Sequence, residues 1–529
     1  MGSAKVTLAE LAAGRPLELA IIGGGINGCG IAEEAAARGL RVGLFEADDF
    51  GFGTTWRSTK LIHGGLRYLE HGDVRLVFES LRERAWLLKT RPHLVKPQRF
   101  ILPMLPWTRR PAWQLRLGLA AYDLLSLYRG VPSHRKLPDV RLHELAPFLP
   151  NGSRGGFTFF DARVIAPERL ALEMALEARA QGAAIHNHAR VLRVIVTDGA
   201  ASAIEVEHRG ERYTVPAKAV VNAAGPWVDA VNELGDLPPA QLLGVTRGTH
   251  IVVELDRPMG GDAVFSTAKS DGRVFFAVPQ NGLLLIGTTD DRFDGRPSEI
   301  RPVAEDIDYL VAEARELMPG LDITRQKVRY AYAGLRPLQK VAGGPEAAIS
   351  RRHELISHER LGGARGVFSV VGGKLSTFRP LAEEVAERLN PPRQRLAREE
   401  SEVGDWAATL RATGLPLDVK KHLRVYGAAI QQVVAAGREV ICPHSHAIAG
   451  QVLYSAETEC VETLSDLMMR RTGISWGSCR GLCCHVEVAG LAGVVLGWDA
   501  TEQAAQVAAF ESEVAYHLPT EEILRRERK

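Results

Sequence analysis

A chain of 529 residues is too long for one compact core, so two or three domains are expected. Its 46% hydrophobic and 24% charged residues are those of an ordinary globular protein, and a net charge of +2 excludes a global pull toward nucleic acid or anionic lipid. Six cysteines (Cys29, Cys442, Cys460, Cys479, Cys483 and Cys484) are too few at this length for a disulfide framework and fit a reducing compartment.

Only Lys5 is basic before Arg15, and the apolar stretch Leu19–Ile22 runs straight into glycines, so no signal peptide is expected. No run of about 18 apolar residues exists, so no spanning segment is expected either. Leu17–Ile22 reads as a buried strand, Ile26–Arg38 as an Ala-rich helix stopped by Gly39, and Arg41–Phe45 as the next strand, which together make a βαβ unit. Phe50–Leu66, rich in Gly, Ser and Thr, reads as a loop around a ligand. Val74–Lys89 is helical, Pro92–Pro111 is proline-rich, and Trp113–Tyr128 is an amphipathic helix. A helix is expected over Arg163–Ala180, and strands over Ile185–Val196 and Val215–Asn222. Alternating apolar stretches at His250–Leu255, Val274–Val278 and Leu283–Thr288 predict antiparallel sheet. Gly366–Val371 is a strand before a helix to Leu389, Asn390–Arg398 a linker, and the remainder a helix-rich separate domain.

The expected fold is α/β: a Rossmann-like dinucleotide domain (17–75, 151–230 and 355–390), an inserted, mainly antiparallel α+β substrate domain (76–150 and 231–354), and a C-terminal helical domain (399–529). Its key is Gly23-x-Gly25-x-x-Gly28 between strand and helix, with Glu46 at the end of the second strand. Gly23 permits the tight turn, Gly25 the approach of a diphosphate, and Gly28 close helix–sheet packing. The helix N-terminus, at Ile26 and Asn27, offers free N–H groups to the anion, and Glu46 can accept from a ribose diol. The hydroxyl- and glycine-rich run Thr54, Thr55, Ser58, Thr59, His63, Gly64 and Gly65 suits a flavin better than a nicotinamide. Small residues at Ala223-Ala224-Gly225 and the break Gly372-Gly373-Lys374-Leu375-Ser376 point the same way.

Lys60-Leu61-Ile62-His63-Gly64-Gly65-Leu66-Arg67-Tyr68-Leu69, Ala224-Gly225-Pro226-Trp227-Val228, Gly287-Thr288-Thr289-Asp290, Gly334-Leu335-Arg336-Pro337-Leu338 and Gly372-Gly373-Lys374-Leu375-Ser376-Thr377 resemble FAD-dependent glycerol-3-phosphate dehydrogenases from about Leu17 to Leu389. That resemblance implies an FAD held additionally by Val191, Gly373, Leu375 and Ser376. It implies hydride transfer from C2 of glycerol 3-phosphate to flavin N5, giving dihydroxyacetone phosphate, with electrons passed to membrane quinone. Arg67, Tyr68 and Arg336 match the phosphate-binding positions, where forked guanidinium donors suit a dianion. Lys374 would polarise the developing carbonyl or stabilise the anionic reduced flavin. His63 and His250 are both candidate bases, since an imidazole titrates near working pH; arginine-assisted deprotonation is a third route. Oxygen as acceptor, or a related amino-acid oxidase, are the alternative readings.

The resemblance implies a peripheral place on the inner face of the cell membrane and is open to a homodimer. Arginines interleaved with Phe100, Leu102, Met104, Leu105, Trp107, Trp113, Leu115, Leu117 and Leu119 suit a bilayer interface. Cys479 and Cys484 resemble half of an iron–sulfur site, and Pro443-His444-Ser445-His446 offers nitrogen ligands. Cys442 and Cys460 supply no close pair to complete it, so no metal is expected.

Overall fold

Leu19–Ile22 is buried along its whole length, as a strand covered on both faces must be. It lies in the middle of a six-stranded sheet of order Glu354–Ser357, Val367–Val371, Val220–Asn222, Leu19–Ile22, Val42–Phe45, Ala184–His186. The strands are parallel except Glu354–Ser357, which runs antiparallel to its neighbour. The computed structural model describes residues 6–66, 69, 73–127, 130–235, 241–340, 352–389 and 405–527. The helix Ile26–Ala37 buries nearly every residue and packs against the helices Pro167–Ala180 and Phe378–Leu389. Its alanines and Gly30 let those neighbours approach: a Cβ on Gly30 would stand 2.7 Å from the Phe378 ring.

The chain expected as one strand over Ile185–Val196 turns a corner at His188, whose φ is +49°, between Ala184–His186 and Ala189–Thr197. The second piece joins Ala200–His208 and Glu211–Pro216 in a three-stranded antiparallel sheet. A ten-stranded mixed sheet occupies the region expected to form the substrate domain. Leu243–Val253 and Val328–Gln339 pair along nearly their whole lengths within it, as the alternating pattern predicts.

The expected organisation needs three corrections. Gly156–Val164, expected in the dinucleotide domain, pairs antiparallel with Val95–Pro103 in the substrate sheet, and Leu61–Ile62 extends the same sheet beyond it. The following helix therefore starts at Pro167 rather than Arg163. The proline-rich stretch is itself the strand Val95–Pro103, so Phe100 and Leu102, like Met104 and Leu105 after it, are buried rather than facing lipid. The linker expected over Asn390–Arg398 lies outside the described residues.

Nor does the C-terminal region stand apart. Its Cys442, Trp476 and Phe510 share one apolar cluster with Trp56, Phe100 and Tyr330. Buried ion pairs join the same two bodies. Asp49, at the end of the nucleotide half, receives the Arg470 Nε at 2.6 Å and both terminal nitrogens of Arg471 at 2.7 Å. Arg169 meets Glu459 through two parallel bonds. Taking one partner from such a site strands the others in low dielectric. Asp49→Ala takes from Arg471 the carboxylate that meets both its terminal nitrogens, while Arg470 keeps Asp466 and Glu513, and a loss of about 3–5 kcal/mol of unfolding free energy is expected by urea titration. Wild-type stability in that variant would show that the cluster does not hold the two bodies together.

Candidate active site

The nucleotide end is a place where backbone meets backbone. A Cβ on Gly28 would lie 1.8 Å from the Gly23 carbonyl oxygen, so only glycine permits this helix to start so near the strand. Gly23 has φ of +105°, a conformation glycine adopts at little cost. Gly25 caps the helix without a side-chain hydrogen bond, leaving the helix end for an anion. The Ile26 N–H donates to Thr55 Oγ1 at 3.0 Å, which ties the hydroxyl-rich loop to this turn. Glu46 accepts from the N–H groups of Gly24 and Asp48. Burial outweighs those donors and pushes its carboxyl up to about 7. Asn27 Oδ1 is buried with no hydrogen-bond partner among the described residues. The free N–H groups of a helix end whose N-cap has no side chain suit the diphosphate of FAD, and the acceptors Glu46 and Asn27 Oδ1 in the same cavity wall suit its hydroxyl groups.

The wall belongs to a cavity of about 940 Å³, near the top of the range of about 300–1,000 Å³ usual for ligand sites. Of the expected cofactor residues, Gly23, Gly25, Ile26, Asn27, Glu46, Thr54, Thr55, Ser58, Thr59, His63, Gly65, Val191, Gly225, Gly373, Leu375 and Ser376 line it. Gly28 and Gly64 stand behind it. Gly64 donates to Tyr122 Oη at 2.7 Å, and Tyr122 donates on to Asp161, itself paired with Arg84. Arg67 and Tyr68 lie outside the described residues.

At the far end, Gly373 crosses so close to Asn27 that a Cβ would sit 2.8 Å from the amide nitrogen. The chain then presents Lys374, whose Nζ donates to Ser80 Oγ at 3.3 Å, and Ser376, which bonds the same hydroxyl. Burial in the helix Val74–Thr90 makes Ser80 a fixed anchor for both.

The floor comes from the paired strands Leu243–Val253 and Val328–Gln339. Thr246 stands opposite Arg336, Gly248 opposite Gly334, and His250 opposite Tyr332, so these six share one face. The glycine pair makes the space between the larger residues. A Cβ on Gly248 would come within 2.2 Å of the Arg336 guanidinium, and one on Gly334 within 2.4 Å of the Arg57 carbonyl oxygen. Arg336 lies flat over Gly248 and donates to Asp290 and Thr288 at 2.9 Å and to the Thr289 carbonyl at 3.1 Å.

His250 departs from its expected chemistry. Its Nε2 is engaged with Thr59 Oγ1 at 2.9 Å, its Nδ1 is buried without a partner among the described residues, and its ring stacks on Tyr332. Burial first, then the charges of Arg336 and Lys60, push its imidazole down to about 3. It is therefore neutral and weakly basic at physiological pH rather than titrating there. His63 also lines the cavity, half-buried, with its ring near Phe276.

Sequence reasoning gave no individual role to Gly334 and Arg57 and did not single out Gly248 or His517. The two glycines carry a legible signal, each standing two residues before a candidate side chain on a period-two strand. The Arg57–His517 contact joins the flavin loop to the C-terminal helix Ala500–His517, and nothing local announces it. Replacing Gly248 by Ala is expected to push Arg336 off the sheet. The apparent substrate constant should rise by about tenfold or more, the equivalent of losing one charge-assisted hydrogen bond, while the flavin absorbance per chain stays constant. An unchanged substrate constant would mean that Arg336 does not act from this position.

Residues 18–388 match the FAD dependent oxidoreductase family, and residues 361–503 the C-terminal domain of alpha-glycerophosphate oxidase. The glycerol-3-phosphate dehydrogenase of Synechocystis sp. is 38% identical over 87% of this chain and 89% of its own. The D-erythritol 1-phosphate dehydrogenase of Brucella abortus is 35% identical over 86% of this chain and 94% of its own. Among solved structures, the glycerol-3-phosphate dehydrogenase from Bacillus halodurans complexed with FAD superposes with a TM-score of 0.75 at 28% identity, covering 97% of both chains. With this architecture and this dinucleotide wall, the chain belongs to the FAD-dependent oxidoreductase family and is an enzyme that uses FAD.

Proposed function

We propose that the enzyme oxidises sn-glycerol 3-phosphate to dihydroxyacetone phosphate and passes the electrons to membrane quinone. The observation that carries this reading is Arg336, fixed by Asp290 and Thr288 over a glycine gap in the wall of the flavin cavity. A guanidinium set there binds a phosphate dianion with directed donors. The dehydrogenases of Synechocystis and Bacillus halodurans, both named for glycerol 3-phosphate, support the substrate.

Held along Gly23, Gly25, Glu46 and Thr55, FAD would supply the acceptor for the hydride released from C2. Arg336 binds the phosphate, with Arg67 and Tyr68 expected from the sequence as further donors. Lys374, anchored on Ser80, stabilises negative charge on the oxygen that becomes a carbonyl. The hydroxyl proton goes to His63, because His250 is pinned by Thr59 and only weakly basic. His250 instead orients the hydroxyl-rich loop. Anaerobic addition of glycerol 3-phosphate should bleach the oxidised flavin band. Arg336→Ala should shift the titration to concentrations higher by about tenfold to a hundredfold at constant flavin content, a loss of about 1.5–3 kcal/mol. His63→Asn should slow bleaching without shifting its midpoint. No bleaching by glycerol 3-phosphate, or stronger bleaching by erythritol phosphate, would refute the substrate assignment.

A surface helix supports attachment to lipid at the inner face of the cell membrane. On Ala112–Leu125, Trp113, Leu117 and Leu124 are 69%, 64% and 60% exposed and fall on one stripe, with Arg116 exposed nearby. No helix among the described residues is long and apolar enough to cross a membrane. The enzyme is expected to float with vesicles containing phosphatidylglycerol, and Trp113→Ser with Leu117→Ser to stay in the dense fraction while reducing a soluble dye at the wild-type rate. Flotation of the double variant would rule this face out. Peroxide release in place of quinone reduction would make the enzyme an oxidase.

A further inference from the structure

The turns that carry the C-terminal cysteines bring together what their spacing separates. Cys442 Sγ lies 3.8 Å from Cys479 Sγ and 3.7 Å from Cys483 Sγ. All three sulfurs fall within 4.8 Å of one another. The expectation of no metal rests on Cys442 and Cys460 forming no close pair in sequence, but Cys442 finds its thiol neighbours at Cys479 and Cys483 instead. We propose that Cys442, Cys479 and Cys483 bind a single zinc ion as a structural site.

The distances support one tetrahedral centre. With Zn–S bonds of about 2.3 Å, neighbouring ligands of a tetrahedron stand about 3.8 Å apart, which is the separation found on both measured edges. A disulfide needs sulfurs about 2.05 Å apart and would leave the third thiol unused. A binuclear iron–sulfur cluster shares four ligands between two metals, whereas these three sulfurs converge on one point.

The backbone prepares two of the sulfurs for negative charge. The Ser445 N–H donates to Cys442 Sγ and the Gly481 N–H to Cys479 Sγ, each at 3.4 Å. Cys442 opens a tight turn closed by the Val440–Ile448 bridge and by the His446 N–H on its carbonyl. Cys484, whose thiol donates to the Gly481 carbonyl, and His444, hydrogen-bonded to Ser478, adjoin the three ligands in sequence and supply the candidates for the fourth corner. On binding, the thiols release their protons to solvent and the ion keeps its oxidation state.

The site would brace the cofactor cavity from outside. Cys442 shares an apolar cluster with Trp476, and Trp476 packs on Trp56 with ring centroids 5.0 Å apart. Trp56 stands between Thr55 and Arg57, which line the cavity.

Plasma mass spectrometry of holoenzyme purified without an affinity tag tests the proposal. About one zinc per chain is expected in the wild type and in Cys460→Ser, and none in Cys442→Ser or Cys479→Ser. Should the variants fail to fold, wild-type holoenzyme stripped with dipicolinate gives the same answer. Its Cys479 and Cys483 thiols should then react with a disulfide reagent and be protected again by added zinc. Absence of metal, iron with acid-labile sulfide in place of zinc, zinc retained in both variants, or thiol reactivity indifferent to zinc would each overturn the assignment.

Discussion

The cavity depends on chain segments lying closer together than side chains allow. The gap between Gly28 and the Gly23 carbonyl lets the first helix open against the first strand. The same exclusion recurs at Gly373 against Asn27, at Gly248 under Arg336 and at Gly334 against Arg57. One absent Cβ at each point brings a helix N-terminus, a guanidinium and a lysine to the walls of one enclosed space. Larger residues there would force main chain or a held side chain to move, which close-packed interiors resist.

Electrostatics follows from that packing. Arg57, Lys60, Arg336 and Lys374 gather around the flavin loop and the substrate end, and burial pushes Arg57 down to about 10. Cations raised in energy by desolvation gain the most when an anion enters. A dinucleotide diphosphate and a small phosphate both meet that requirement. The same field accounts for the neutral His250, since burial and two neighbouring cations act on it in one direction. A histidine identified by residue type alone carries no information about such neighbours.

What could be read from sequence was local. The glycine turn, Glu46 and the strand–Gly-Gly–helix break each declare themselves within a few residues, and all line the cavity. Contacts between distant segments could not be read. Asp49 finds Arg471 from 422 positions away, and no pattern at either end marks the pairing. Gly156–Val164 is apolar enough for either sheet, and only its register with Val95–Pro103 decides which. Cys442 and Cys479 are 37 residues apart, too far for the short ligand spacings by which metal sites are recognised in sequence.

One element joins the cofactor to the outside of the molecule. The helix Ala112–Leu125 turns Tyr122 inward, where it accepts from Gly64 N–H beside the flavin cavity and donates to Asp161. Its stripe of Trp113, Leu117 and Leu124 is on the opposite side, about half a turn away at 3.6 residues per turn. A helix about 10 Å across therefore carries a flavin-loop contact on one face and an exposed apolar surface on the other. Exposed tryptophan and leucine are costly on a freely soluble surface but are stabilised at a lipid interface. An acceptor dissolved in lipid would meet such a surface, whereas oxygen needs none. That placement is the support that the fold lends to the proposed quinone acceptor.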